Sequence, residues 1–434
     1  MKKKVIINTL GCKVNQYESA SFLCSFEEAG CRVAEKGEDA DIIVINTCAV
    51  TAKAGAQSRQ TVRRLIRRHP QAKIVITGCY AQMAANELAA MVESPVCIVG
   101  NGNKHLLVET ALKESPCDLT MLMGRILKKK EICPLPMRRF GNRTRAYLRV
   151  QDGCNNFCTY CIVPYTRGPS RSLELSEVLS QAKRFAQAGH REIVLTGIHV
   201  GMYGRDLDKQ CNIADLVFTL CQAHPDIRFR LSSIEPQEIS DRLLQTMSSC
   251  QNFMPHFHIP LQSGDDTILS RMNRGYDRET FRRVVEKCRS TFPDAAIGID
   301  ILTGFPGEGV EEFANSKALL KELDATYFHV FPYSSRPGTP AATFKNQVPK
   351  AVREERVAEL RTLAEEKKSA FYKRYLGTQR PVLVEHKRNR EGMLSGFTDN
   401  YIPIAFPGTD SLMGKIVPVL LELLEGTTVV GRGI

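Results

Sequence analysis

No stretch of this sequence approaches the roughly 18 consecutive apolar residues of a membrane span, so a helical membrane protein is excluded. The opening MKKKVIINTLGC has a basic head, but its apolar run is only Val5 to Ile7 and breaks at Asn8. That is too short for a secretory signal, and the protein is expected in the cytoplasm. Compositional bias of the disordered or fibrous kind is also missing: 43% of the 434 residues are hydrophobic, which is ordinary for a globular chain. Such a length allows about two to four domains. Acidic residues are the scarcer charge, 47 against 59 Lys plus Arg, and the formal net charge of +12 favours a polyanionic partner, nucleic acid first. No GxGxxG follows the first apparent strand, so hydride transfer on a dinucleotide is excluded. A dense disulfide scaffold is lacking as well, because the 15 cysteines are scattered through a large chain. In a reducing compartment they are thiols, some of them available as metal ligands.

What is present is rhythm. Over residues 1–115 short β-branched runs, KVIINTL, DIIVINT, KIVITG and VCIVG, alternate with amphipathic stretches such as GAQSRQTVRRLIRRH and AQMAANELAAMV. Strands alternating with helices predict a parallel, doubly wound α/β domain. Residues 116–144 lose this rhythm and read as a basic linker. From 145 to 376 it returns, with six strand-like runs at a period of about 30 residues, each leading into a helical stretch. This predicts a partial (β/α)6 barrel with its site at the carboxyl ends of the strands. Residues 377–434, rich in β-branched residues and turns, read as a small β-barrel module.

Cys154, Cys158 and Cys161 form CxxxCxxC just after the first barrel strand. A closed zinc site would want a fourth ligand, and no Cys or His follows at finger-like spacing, the next histidines being His190 and His199. Three thiolates suit an iron-sulfur cubane with one iron left open for a ligand. A second set is less obvious. Cys12, Cys48 and Cys79 each sit where a strand gives way to its helix. In a doubly wound sheet those ends open onto one edge, the edge at which such folds bind ligands, so a second three-thiolate cluster is expected. The alternative for each is a small residue suited to a tight turn. The other nine thiols, Cys117 among them, share no spacing.

With Tyr160 just before the last cysteine, CxxxCxxC resembles the radical S-adenosylmethionine (SAM) enzymes. Taken together, NTLGCKVNQYES, NTCAVT, TGCYAQ, RVQDGCNNFCTYCIVPYTRGPSRS and GFPGE resemble the methylthiotransferases of that superfamily. TLGCKVNQYES and SGFTDNYIPI are similar to the branch acting on threonylcarbamoyladenosine beside the tRNA anticodon. The resemblance implies two 4Fe-4S clusters. One, on Cys154, Cys158 and Cys161, chelates SAM and generates a 5′-deoxyadenosyl radical. The other, on Cys12, Cys48 and Cys79, carries the sulfur that is methylated by a second SAM and inserted. It also implies a flavodoxin- or ferredoxin-type electron donor and a TRAM module as the carboxyl-terminal β-barrel. tRNA is the expected substrate partner, no membrane is expected, and a monomer is expected.

Further site residues are expected at strand ends. Tyr160, Thr196, Gly197, Ser232, Ser233 and Asp300 are candidates for SAM and nucleoside contact, and Gln262 and Ser263 for lining the pocket. Structural alternatives stand beside them: a turn that needs Gly at 197, serines capping the next turn of chain, and a structural hydrogen bond at Asp300. Arg138, Arg139, Arg143 and Arg145 interleave with Phe140 and Tyr147, combining phosphate neutralisers with stacking surface. Lys387, Arg388 and Arg390 are candidate phosphate contacts in the tail. Competing readings are modification of isopentenyladenosine tRNA, modification of a ribosomal protein, and a non-catalytic iron-sulfur RNA-binding protein.

Overall fold

A computed structural model describes the chain except residues 1, 36, 93–95, 114–118, 142 and 209–210. Residues 116–118, Cys117 among them, and residue 142 of the expected linker therefore lie outside the described residues.

The amino-terminal sheet contains β1 (Lys4–Thr9), β2 (Arg32–Val33), β3 (Ile42–Thr47), β4 (Lys73–Gly78), β5 (Val96–Val99) and β6 (Leu119–Leu122). They are all parallel, in the order β2-β1-β3-β4-β5-β6. All of β3, IIVINT, is buried, as expected for a strand covered on both faces. One face is covered by the helix Lys13–Glu28, whose Tyr17, Phe22 and Phe26 are buried. The helix Ala52–Arg68 packs Val62 and Leu65 against Ile43, Ile45, Ile74 and Ile76. The Thr51 hydroxyl accepts the Ala54 N–H at 3.1 Å and starts that helix. AQMAANELAAMV forms two short helices, Cys79–Met83 and Ala85–Ala89, which break at Ala84 (φ −130°, ψ 42°). β6 lies inside the segment expected to be a linker. It is an edge strand with no fully buried residue, so it has no apolar alternation to betray it.

The barrel strands are β7 (Arg145–Arg149), β10 (Glu192–Thr196), β11 (Arg228–Leu231), β12 (His256–Gln262), β13 (Ala296–Thr303) and β14 (Tyr327–Pro332), with the short pair β8 (Gln151–Asp152) and β9 (Arg171–Ser172) after the first of them. They form two parallel half-sheets, β11-β10-β7 and β12-β13-β14. A bridge from Phe229 to Phe253 and the Ile234 N–H donating to His258 O at 3.0 Å join the halves. The sides of β7 and β14 away from their sheets stay unpaired among the described strands, so the barrel is open there. The helix Lys350–Lys373 packs against β14 and leads to β15 (Gln379–Arg388), β16 (Leu394–Thr398), β17 (Pro403–Phe406), β18 (Ile416–Glu425) and β19 (Thr428–Gly433). These close as a five-stranded barrel in the order β15-β16-β17-β19-β18. One continuous core joins Val5, Tyr17, Phe22 and Val44 of the first domain to Phe140, Leu148 and Ile193 at the barrel, so the two domains are fused through apolar contact.

Candidate iron-sulfur and SAM site

The first three thiols meet because β1, β3 and β4 are neighbours in register, Thr9 opposite Asn46 and Thr47 opposite Gly78. Backbone requirements bring them close. Gly11 has φ +98°, and a Cβ there would lie 2.9 Å from Cys48 Sγ. Gly78, also at φ +98°, would place a Cβ 2.2 Å from the Thr47 carbonyl. Only glycine fits either turn. Asn15 Oδ1 is 3.9 Å from Cys12 Sγ, and the Asn101 amide is 3.9 Å from Cys79 Sγ. Burial pushes the Cys48 thiol up to about 11, with Cys79 and Cys12 adding to the rise. A coordinating metal centre reverses that balance and takes the thiolates.

The second triad occupies the loop between β8 and the helix Val163–Arg167. The Asn156 N–H donates to Cys154 Sγ at 3.5 Å, the Val163 N–H to Cys161 Sγ at 3.4 Å, and Arg274 Nη1 to Cys158 Sγ at 3.2 Å. His199 Nδ1 lies 3.5 Å from Cys154 Sγ. Each sulfur thus faces a donor or a ring nitrogen, the setting a thiolate-held cluster needs. Burial pushes the Cys161 thiol up to about 12, with Cys158 adding to it. Among the described residues the ligand set with all atoms within 4.8 Å of one another is His258, Asp300 and His329. Neither cysteine triad gathers its three sulfurs within 4.8 Å of one another. The two loops also touch: the helix that follows Cys161 packs against the helix that begins at Cys79, and Ile162 joins the apolar cluster of Cys79 and Tyr80.

Beneath this junction lies a buried charge network that has no local signature in the chain. Glu18, fully buried, takes Arg167 Nη1 on Oε1 at 3.0 Å and pairs with Lys104 through Oε2. Arg167 also donates to Asp152 Oδ1 at 3.0 Å and to Asn15 Oδ1 at 2.6 Å. Glu18, Asn15 and Lys104 belong to the first domain, Arg167 and Asp152 to the barrel. Arg274 was likewise unforeseen. It pairs with Glu235 and donates to the Tyr276 hydroxyl at 2.8 Å. Arg274→Met is expected to lower iron held by the Cys154, Cys158 and Cys161 set, read anaerobically as a fall from about eight towards about four irons per chain. Full retention would make the guanidinium incidental.

The strand-end residues divide. Tyr160 packs its ring edge-on against Phe305, centroids 6.4 Å apart. Thr196 is buried, its carbonyl accepting the Val150 N–H at 2.9 Å. A Cβ on Gly197 would lie 2.8 Å from Gln151 Oε1, so Gly is required there by close approach rather than by a turn. Ser232 is buried with no partner for its hydroxyl among the described residues, an open donor and acceptor at the strand end. Ser233 is half-buried. Asp300 Oδ1 lies 3.0 Å from His258 Nε2 and 3.1 Å from His329 Nδ1. Burial raises its carboxyl, but the two imidazoles prevail and hold it well below the usual range. Gln262 takes φ +66° at a bulge in β12. Ser263 is buried with its hydroxyl 3.3 Å from that of Ser316, so it serves the fold rather than a pocket wall.

The basic residues divide as well. Arg138 and Arg139 are exposed beside Glu28 and Glu27, and Arg143 is exposed. The expectations for Arg145 and Phe140 are corrected. Arg145 donates to Glu385 at 3.0 Å and lies 4.3 Å from the Phe397 ring centroid, tying the barrel to the carboxyl-terminal module. Phe140 is buried against Phe185. Arg388 donates to Asp410 at 2.9 Å and to the carbonyls of Gly392 and Gly408, so its guanidinium organises a loop. Lys387 and Arg390 are exposed.

A partial parallel barrel with CxxxCxxC after its first strand defines a radical SAM protein. Residues 148–320 match the radical SAM superfamily, 373–431 the TRAM domain, and 4–100 a family described as uncharacterized, UPF0004. The chain is 39% identical over 419 residues to the threonylcarbamoyladenosine tRNA methylthiotransferase MtaB of Bacillus subtilis, covering 96% of this chain and 93% of that one. It is 37% identical to the MtaB of Aquifex aeolicus, covering 96% and 100%, and 34% identical to the tRNA-2-methylthio-N(6)-dimethylallyladenosine synthase of Erythrobacter litoralis, covering 96% and 94%. It belongs to the threonylcarbamoyladenosine tRNA methylthiotransferase family, whose cofactors are two 4Fe-4S clusters and SAM. The radical SAM methyltransferase TsrM of Kitasatospora setae shares the fold, with a TM-score of 0.57 at 15% identity over 79% of this chain and 77% of that one. Among the described residues no helix is long and apolar enough to cross a membrane.

Proposed function

We propose that this chain adds a methylthio group to threonylcarbamoyladenosine next to the tRNA anticodon, using one SAM for radical generation and one for methylation. The observation that supports it most is the direct packing of the Cys79 helix against the helix after Cys161, which brings the segments carrying the two thiol triads together. Cys154, Cys158 and Cys161 hold the SAM-binding cluster, and Cys12, Cys48 and Cys79 the second. When bound, these groups supply the electron that cleaves the sulfonium and the sulfur that is inserted.

The chain's own part is placement and shielding. Gly197 leaves no Cβ between the β10 end and Gln151, Gln151 Oε1 accepts the backbone N–H of His199 at 2.8 Å, and Glu238 Oε1, 2.7 Å from His199 Nε2, holds the ring beside Cys154. The free hydroxyl of Ser232, with Ser233, Thr196 and Tyr160, lines the SAM side. Exposed Lys387 and Arg390, with Arg138, Arg139 and Arg143, contact RNA phosphates. Lys387→Ala and Arg390→Ala are each expected to weaken tRNA binding and lower the slope of log affinity against log salt by about 1; an unchanged slope would remove that residue from the interface. The enzyme acts in the cytoplasm as a monomer supplied by a flavodoxin- or ferredoxin-type donor. Mass analysis of tRNA nucleosides from cells lacking the protein tests the activity: loss of the methylthio derivative of threonylcarbamoyladenosine supports it. Loss of the dimethylallyladenosine derivative instead would favour the second reading, for which the 34% identical synthase speaks.

A further inference from the structure

β12, β13 and β14 run in parallel, with His258 and Tyr327 on either side of Gly298, and His329 opposite Asp300. Side chains alternate across a strand. Ile297, Ile299 and Ile301 of β13 are buried in the core. Gly298 and Asp300 therefore stand on the other face, and the register puts His258, Tyr327 and His329 there with them. A Cβ on Gly298 would lie 2.2 Å from the Tyr327 ring, so glycine lets that ring lie across β13. His256 Nε2, 2.8 Å from the Tyr327 hydroxyl, anchors the far end of the ring. The ring planes of Tyr327 and His258 are 14° apart with centroids at 6.4 Å, and the His329 centroid is 5.2 Å from that of Tyr327. Both imidazoles thus lean on a ring that is already fixed.

Three side-chain atoms converge on this face. His258 Nε2 lies 3.0 Å from Asp300 Oδ1, His329 Nδ1 lies 3.1 Å from the same oxygen, and the two nitrogens are 3.1 Å apart. Hydrogen bonds do not serve all three edges of that triangle, because each nitrogen carries at most one proton and the carboxylate oxygen none. With both nitrogens protonated, two N–H groups crowd each other along the third edge. With one protonated, a ring lone pair faces the carboxylate. A cation over the triangle accepts all three lone pairs at once. The edge length also selects its geometry. Three neighbouring ligands of an octahedral ion span such a triangle at bond lengths of about 2.2 Å, whereas a tetrahedral ion would need about 1.9 Å, shorter than the roughly 2.0–2.1 Å of a zinc–nitrogen bond. Two imidazoles and one carboxylate on one octahedral face, with the remaining positions open, suit divalent iron, or manganese of the same geometry. The open positions have room: the His258 and Asp300 side chains are 15% and 21% exposed, and His329, with Tyr327, Phe397 and Tyr401, lines an open cavity of about 420 Å³.

We infer that His258, Asp300 and His329 form a mononuclear site for a divalent first-row cation, separate from both cysteine triads, with three coordination positions left for oxygen ligands from the cavity. The inference goes beyond the proposed function and does not depend on it.

The probe is Mn2+, whose preference for oxygen and nitrogen keeps it off the chain's thiols. The reconstituted holoenzyme, its clusters oxidised, is cleared of loosely held metal with EDTA and titrated with Mn2+ in the absence of tRNA and SAM, the free ion being read by its six-line EPR signal. One site per chain with a Kd below roughly 100 µM is expected. Pulsed EPR of the loaded wild type is expected to show two imidazole nitrogens coupled to the manganese. Asp300→Asn and His329→Phe are each expected to weaken binding at least about 100-fold, with cluster iron and sulfide at the wild-type level, and Glu365→Gln on the same cavity wall is expected to leave it unchanged. A wild type that binds no Mn2+ in this range makes the three groups a hydrogen-bonded trio only and overturns the inference, as does coupling to fewer than two nitrogens; neither result needs a variant to fold. Binding that survives Asp300→Asn, or that is lost with Glu365→Gln, would place the ion elsewhere and overturn it too.

Discussion

Changing Cys154, Cys158 and Cys161 together to alanine is expected to leave about four of about eight irons per chain after anaerobic reconstitution. SAM cleavage to 5′-deoxyadenosine is expected to vanish. Cys48→Ala is expected to do the opposite: cleavage persists, and sulfur insertion is lost. Both expectations follow from where the thiols stand. Gly11 and Gly78, at φ +98°, press the turns of Cys12 and Cys79 onto that of Cys48, independently of the loop after β8. The first triad therefore has its own scaffold and should assemble without the second. Iron and sulfide analysis with a deoxyadenosine assay reads both changes. If the triple change removes all iron from a folded chain, the amino-terminal thiols are only small residues in tight turns. If Cys48→Ala leaves the methylthio product intact, that set has no catalytic part. A non-catalytic iron-sulfur protein would show no deoxyadenosine in the wild type either.

The second large effect lies at the domain junction. Glu18→Gln is expected to cost about 3–5 kcal/mol, because it leaves a buried ammonium and part of a buried guanidinium without their anion. The side chains of Glu18, Arg167 and Lys104 are 0%, 0% and 1% exposed, so water cannot substitute. Burial alone would raise the Glu18 carboxyl, but Arg167 and Lys104 pull it down to about 2. A carboxyl lowered in the folded state contributes stability above its ordinary value of 4.5, and loses it as pH falls from there towards about 2. Asp152 is lowered in the same sense, its burial outweighed by Arg167, Arg171 and Arg149. Denaturant titrations of wild type and variant at neutral pH and near pH 3 check this. The gap between the two should shrink in acid. A constant gap would mean that the loss comes from packing rather than from charge.

How much of this was legible in the residues varies with the range of the cause. The alternation of β-branched runs with amphipathic stretches reports local backbone preference and burial. The doubly wound domain, the six barrel strands and the terminal β-barrel could accordingly be read directly. Cysteine spacing is local too, and strand ends in a parallel sheet share an edge, so both triads were visible. β6 escaped because an edge strand half in solvent has no period-2 signal. Arg145 and Arg388 were read as RNA contacts because a sequence shows a charge and not its partner. Arg145 finds Glu385 across 240 residues, and Arg388 finds Asp410 across 22.

The chain order of residue types is therefore enough for the fold class and the kinship, and for naming the thiols proposed as ligands, all of which depend on short-range pattern. Whether a charge is satisfied is a property of contacts between distant segments. Arg167 meets Glu18 across 149 residues and fuses the domains. Asp300 likewise meets His258 and His329 only where β12, β13 and β14 lie side by side, across 42 and 29 residues.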